Sequence, residues 1–343
     1  MKKLIVPIPG VALCLLIAVP AWFFGQAVPI VGGAIFAIGA GIVLALQFPN
    51  LAACSPGGAR LEGGIKFTSK KLLQLSIILL GFNMNFYSVF EVGRQSLYVM
   101  VFTLAFAFAT AYVVGRALNL HGSVPTLIGV GTAICGGSAI AAAAPAIRAN
   151  EEEIGQAIST IFLFNIVAAF AFPFLGNLMG LSDMGFGMWA GTAINDTSSV
   201  VAAGTTWSGA AGNDVALEYA TIVKLTRTLM IIPVTIALAF HTSHRSKQSQ
   251  SSEFSFASSF PWFVLLFLAA AVFNTFAPVP GAVSAGLSEA GKFVIIMAMG
   301  AIGLGTNLRK LVSHGIRPIA LGVACWVVVA SVSLVVQRVI GIY

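Results

Sequence analysis

Eleven stretches of this chain are long and apolar enough to cross a bilayer, and that property leaves few folds open. A helix of about 20 residues rises roughly 30 Å, the thickness of a hydrocarbon core. Strands of a membrane barrel would instead alternate apolar and polar residues over segments of about ten. A soluble domain carries about a quarter charged residues, whereas this chain has 8% charged and 58% hydrophobic. The expected fold is an all-α polytopic membrane protein of about eleven transmembrane helices, ten plus one extra at the N-terminus. The spans fall at residues 4–24, 29–47, 70–86, 96–118, 124–147, 153–179, 185–206, 215–240, 260–276, 287–307 and 318–340.

The opening Met1-Lys2-Lys3 and its apolar run resemble a signal peptide. The length of the run, Pro7, Pro9, Pro20 and the spans directly behind it favour a retained helix. The expected organisation is one integral membrane transporter domain. It has an extra helix at 1–28, a first repeat half at 29–180 and a second at 185–343. The second half contains a Ser-rich, basic cytoplasmic linker at 241–259.

Basic residues set the orientation. With alternating spans, Lys2, Lys3, Arg60, Lys66, Lys70, Lys71, Arg116, Arg245, Lys247, Arg309, Lys310 and Arg317 share one side. Arg94, Arg148, Lys292 and Arg338 share the other, a 12-to-4 split. The positive-inside rule makes the first side the cytoplasm of a bacterial inner membrane, with the N-terminus in and the C-terminus out. The net charge of +7 is therefore a topology signal and not a nucleic-acid footprint.

Two spans are interrupted. Residues 191–204 read G-T-A-I-N-D-T-S-S-V-V-A-A-G, placing Asn195, Asp196, Thr197, Ser198 and Ser199 within a membrane-length segment. A carboxylate at that depth costs about 2.5–3.5 kcal/mol on insertion scales and usually faces a cavity. Residues 131–143 open the same way, G-T-A-I-C-G-G-S-A-I-A-A-A, and the paired Gly136 and Gly137 favour a helix break. A break exposes helix-end N–H groups that can seat an anion, here around Cys135, Gly136, Gly137 and Ser138. Close packing through small residues and interhelical hydrogen bonds are the structural alternatives.

The eighth span carries Lys224 and Arg227, whose i, i+3 spacing puts both on one helix face. Asp196 is their expected counter-charge, and two cations against one anion leave a positive surplus for an anionic substrate. Snorkelling to an interface is the alternative for Lys224. Residues 300–307 of the tenth span form another break candidate. Asn85 and Asn307 end helices that match at an offset of 222, as caps or as coupling-ion ligands alongside Asp196. That offset pairs spans seven apart and so opposed in direction, as in inverted repeats. The echo between 131 and 191, at an offset of 60, pairs spans two apart and so expected to run the same way.

Other chemistries lack their residues. Gly286-Leu-Ser-Glu-Ala-Gly291-Lys292 is followed by Phe293 where a phosphate loop needs Ser or Thr, and H-E-x-x-H does not occur. Cys14, Cys54, Cys135 and Cys325 show neither C-x-x-C nor metal-ligand spacing. The four histidines fall in connections, leaving no intramembrane His for a proton relay. Neither an enzyme nor a cofactor is expected beyond a coupling Na+ or H+. The expected partners are lipid, a small anion and a second copy of the chain.

Three motifs in order, T-A-I-C-G-G-S-A-I-A-A at 132–142, D-T-S-x-V-V-A-A-G at 196–204 and A-T-I-V-K-L-T-R at 220–227, resemble the YeiH-type family of bacterial inner-membrane proteins. The likeness extends more loosely over most of the chain, including K-L-L-x-L-x-I-I-L-L-G at 71–81. The resemblance implies export of a sulfur oxyanion, and His and Gln where this chain has Asn195 and Ser199. It also implies the inverted-repeat plan of bile-acid–sodium symporter-like carriers, with the fifth and tenth spans broken and crossing. The expected function is a secondary anion transporter. The rivals are a cation-coupled carrier using Asp196 with Asn195, and a non-transporting sensor or scaffold.

Overall fold

The computed structural model describes residues 8–29, 31–48, 58–245, 261–277, 279–306 and 315–343. The chain is all-α, and no strand occurs among the described residues. The helices are α1 (Ile8–Ala27), α2 (Gly32–Gln47), α3 (Gly58–Phe67), a π-helical turn (Thr68–Leu72), α4 (Leu73–Gly81), α5 (Phe86–Ala117), α6 (Val124–Ala133) and α7 (Gly137–Ala146). They continue as α8 (Glu151–Leu178), α9 (Asp183–Ala193), α10 (Thr197–Ala211), α11 (Val215–Thr228), α12 (Ile231–Arg245), α13 (Trp262–Phe276), α14 (Gly281–Gly305) and α15 (Ile316–Val339). Among the described residues, six segments are at once long and apolar enough to span a membrane. Each of the eleven apolar stretches appears as a helix or a chain of helices.

Local sequence explains most boundaries. Asn150 caps α8 by accepting the Glu153 N–H, and Glu153 accepts the Asn150 N–H, with three acids at the positive helix end. The third span begins earlier than expected, because Glu62 and Lys66 pair one turn apart and extend the helix beyond the apolar run. The eighth span turns at Leu229 and Met230, between α11 and α12. Pro233 is the cause: it has no N–H to donate, and its ring clashes with the carbonyl four residues earlier.

The chain forms two compact units, each assembled from distant segments rather than from one half of the sequence. The first takes Met1–Phe90, Val201–Glu218 and Phe263–Asn307. Its α2 and α14 meet through glycines; a Cβ on Gly303 would lie 3.0 Å from the Cα of Gly41. At one end of this unit Lys292 bridges Asp214 and Glu289, both at 2.8 Å, and Asn83 donates to Glu218 at 3.1 Å. Asn85 lies in this unit, exposed, and caps α5 by accepting the Tyr87 N–H at 2.8 Å. The tenth span is continuous through Gly305, with Thr306 closing it, and Asn307 lies outside the described residues. The break expected there does not occur before Gly305, since only single glycines interrupt its apolar run and each lies in a close helix contact or open space. Of the expected linker, residues 241–245 complete α12 and the rest lies outside the described residues.

The second unit takes Glu91–Val200, Tyr219–Trp262 and Leu308–Tyr343. Its axis is α8, against which α6, α7, α9 and α15 pack. Both interrupted spans reach their breaks inside it.

Candidate functional site

The fifth span folds back on itself. The Ser123 N–H, at the start of α6, donates to Glu153 at 2.8 Å, and only four residues separate the end of α7 from that same end of α8. Across the pair, a Cβ on Gly131 would lie 2.9 Å from the Ile140 side chain, so the two strokes pack against each other. Each has ten residues, about 15 Å or half a hydrocarbon core. α6 and α7 are thus a helical hairpin with its tip at 134–136.

The seventh span arrives from the other end of α8. α9 follows the C-terminus of α8 after a short turn and runs back until the Asp196 N–H meets Asn165 at 3.2 Å. Asn165 is the fifteenth of the 28 residues of α8, at its middle. α11 runs alongside α9: a Cβ on Gly191 would meet Val223 at 2.7 Å, and Lys224 reaches the tip. The two G-T-A-I echoes therefore run toward the middle of α8 from its opposite ends. Sequence spacing gave them the same direction, because a full crossing was assumed where the chain makes a hairpin.

The tips meet. A Cβ on Gly136 would lie 3.7 Å from the carbonyl of Asn195 and 3.5 Å from Nδ2 of Asn165. A helix that stops at mid-membrane leaves carbonyls unpaired, and here two cations supply the donors. Lys224 donates to the carbonyls of Ile134 at 2.9 Å, Ile194 at 3.1 Å and Asn195. Arg227 donates to those of Ala133 at 2.7 Å, Ile194 at 3.2 Å and Thr132. Both side chains are 0% exposed. Each cation also offsets the negative end of a helix dipole.

This revises the expected role of Lys224. An ammonium has three N–H donors, and all three are spent on carbonyls, leaving none for a substrate. No ion pair joins Asp196 to Lys224 or Arg227 among the described residues. Asp196 instead caps α10, accepting both the N–H (3.0 Å) and the hydroxyl of Ser198. Asp196 and Thr197 are half-buried, while Ser198 and Ser199 are buried. The positive end of α10 is thus already occupied by the chain's own carboxylate.

The positive end of α7 is not. Its cap is Gly136 at φ 71° and ψ −131°, backbone that favours glycine, and no side chain caps the helix. Gly137 is half-buried and Ser138 exposed; Cys135 is buried, with its sulfur 3.0 Å from the Ser138 hydroxyl. Beside this end lies Asn165, 3% exposed, whose Nδ2 has no hydrogen-bond partner among the described residues. Buried amides are normally paired, so the unspent donor and the uncapped N–H groups mark a seat for an acceptor. The hydroxyl of Thr132 and Oδ1 of Asn195 are likewise unpaired. Sequence reading passed over Asn165, although a lone amide in the middle of Ile-Phe-Leu-Phe-Asn-Ile-Val was the available signal.

Both breaks, Asn165, Lys224 and Arg227 lie within residues 9–322, over which the chain matches the family described as Conserved hypothetical protein 698. The chain belongs to that family. It is 46% identical over 340 residues to the UPF0324 membrane protein of Streptococcus mutans, covering 97% of each chain. Similarity to a UPF0324 membrane protein of Streptococcus pyogenes is also 46% over 340 residues, covering 98% of each. A UPF0324 membrane protein of Fusobacterium nucleatum is 44% identical over 351 residues, covering 97% of this chain and 98% of that one. No solved structure matches the chain. The family match runs from α1 into the first turns of α15, so nearly the whole membrane-embedded structure lies within it.

Proposed function

We propose that this protein is a secondary active transporter that exports a small anion across the bacterial inner membrane, binding it where the hairpin tips meet. The observation that carries this reading is the uncapped N-terminus of α7, level with the middle of α8 and beside the unspent Nδ2 of Asn165. Helix N-termini seat anions through free N–H groups and the dipole. Half-membrane helices that end at the bilayer midplane are a recurring way for carriers to build such a site. The resemblance to YeiH-type proteins narrows the cargo to sulfate, sulfite or an organosulfur anion. The test is flux: purified protein in liposomes, loaded with labelled sulfate, sulfite or methanesulfonate, is expected to exchange at least one above protein-free vesicles. No flux of any anion would sink the transporter reading in favour of a sensor or scaffold.

The hairpin also sharpens orientation. If the fifth and the seventh spans both return to the face they left, Arg148 joins the basic side, every other basic residue keeps its side, and the 12-to-4 split becomes 13-to-3. The N-terminus is then cytoplasmic and the C-terminus periplasmic. In a cysteine-free background, Arg116→Cys and Arg148→Cys should both react with a membrane-impermeant thiol reagent from the cytoplasmic face only. Labelling of Arg148→Cys from the periplasm would restore a full crossing for the fifth span.

A second reading has its own observation. Asp196 is half-buried beside the unpaired Oδ1 of Asn195, so a sodium ion or proton there would couple transport. Flux indifferent to sodium and pH would exclude it.

A further inference from the structure

The charges at the hairpin tips can be added up. Lys224 and Arg227 contribute two positive charges and Asp196 one negative, all within hydrogen-bonding reach of the tip backbone. Four helix ends meet there, each carrying about half a charge. The C-terminal ends of α6 and α9 are negative and the N-terminal ends of α7 and α10 positive, so they cancel. One positive charge remains uncompensated.

Geometry gives the same number of vacancies. Of the two positive helix ends, that of α10 is filled by the Asp196 carboxylate, bonded to the N–H of Ser198. Of the two, that of α7 lacks a side-chain cap, and beside it a buried amide donor, Nδ2 of Asn165, has no partner among the described residues. The chain shows at α10 what fills such a seat: one oxyanion group of unit charge.

We infer that the site selects singly charged oxyanions, such as sulfonates or hydrogensulfite, over dianions such as sulfate, with Asp196 as the residue that sets this preference. The inference rests on the transporter reading and narrows its substrate class. A monoanion brings the tips to neutrality. A dianion leaves one net negative charge in a low-dielectric site, where uncompensated charge is costly. Asp196 enforces the limit because its carboxylate occupies the second positive helix end and repels the second charge of a dianion.

The experiment measures labelled methanesulfonate and labelled sulfate in parallel in proteoliposomes, with wild type and Asp196→Asn. Wild type should move methanesulfonate at least about tenfold faster than sulfate, and excess sulfate should not inhibit that flux. Asp196→Asn, which raises the tip charge by one unit, should shift the preference toward sulfate by a comparable factor. Should that variant not fold, the wild-type ratio and the sulfate competition still decide. Wild-type sulfate flux equal to or faster than methanesulfonate, strong inhibition by sulfate, or an unchanged preference in Asp196→Asn would overturn the charge rule while leaving the transporter reading intact. Absence of flux for both anions and for sulfite would overturn the transporter reading itself.

Discussion

Replacing Lys224 with methionine is expected to destabilise the protein severely rather than merely stop transport. The substitution keeps the length of the side chain and removes the donors to the carbonyls of Ile134, Ile194 and Asn195. A buried polar group left without a partner costs roughly 1–3 kcal/mol, so the carbonyls of Ile134 and Asn195 together cost several, while Ile194 keeps its bond from Arg227. Whole domains are stable by only about 5–15 kcal/mol. The two tips would lose one of the two groups that join them, since Ile134 belongs to one and Ile194 and Asn195 to the other, and Arg227 alone would still bridge them. Thermal unfolding in detergent, followed by the loss of monodisperse protein, should show a large drop in the transition or no folded material. Lys224→Met that melts like wild type yet fails to bind an anion would return the lysine to direct substrate contact.

Asn165→Asp should do the opposite, abolishing transport while leaving the fold intact. The side chain is isosteric, and an acceptor remains for the Asp196 N–H now bonded to Oδ1 at 3.2 Å. The other atom changes from an unspent donor to a carboxylate oxygen, at the positive end of α7. That carboxylate would fill the seat as Asp196 fills the one at α10. Two like charges about 5 Å apart at an effective dielectric of 20 repel by about 3 kcal/mol, on the order of a hundredfold in anion affinity. Anion flux should fall to the vesicle background while the melting transition stays near wild type. Undiminished flux would remove Asn165 and the α7 terminus from the substrate path.

These two expectations separate residues that sequence reading had grouped together. Lys224, Arg227, Asp196 and the hydroxyls of 197–199 all stood out as polar groups at depth, and all do gather at the tips. Their roles divide according to which helix end they face. The cations face carbonyls and complete the backbone, Asp196 faces N–H groups and caps a helix, and the seat left over belongs to α7 and Asn165. Nothing in the spacing of Lys224 and Arg227 shows whether their donors point to an anion or to a carbonyl. Both are acceptors, and a residue's position on one helix does not fix what lies across from it.

The sequence by itself determined that this is an all-α polytopic membrane protein, because apolar runs of this length have no other stable home. It also located the break at the paired glycines 136–137 and marked 195–199 as a polar interruption, whereas the break it expected at 300–307 does not occur before Gly305. Whether the chain crosses or returns at each break was decided only by the tertiary structure. The local cost of a break is the same in either case, and the difference lies in contacts between distant residues. Ser123 against Glu153 and Gly131 against Ile140 turn the fifth span into a hairpin, and Lys224 against carbonyls of both tips joins it to the break in the seventh.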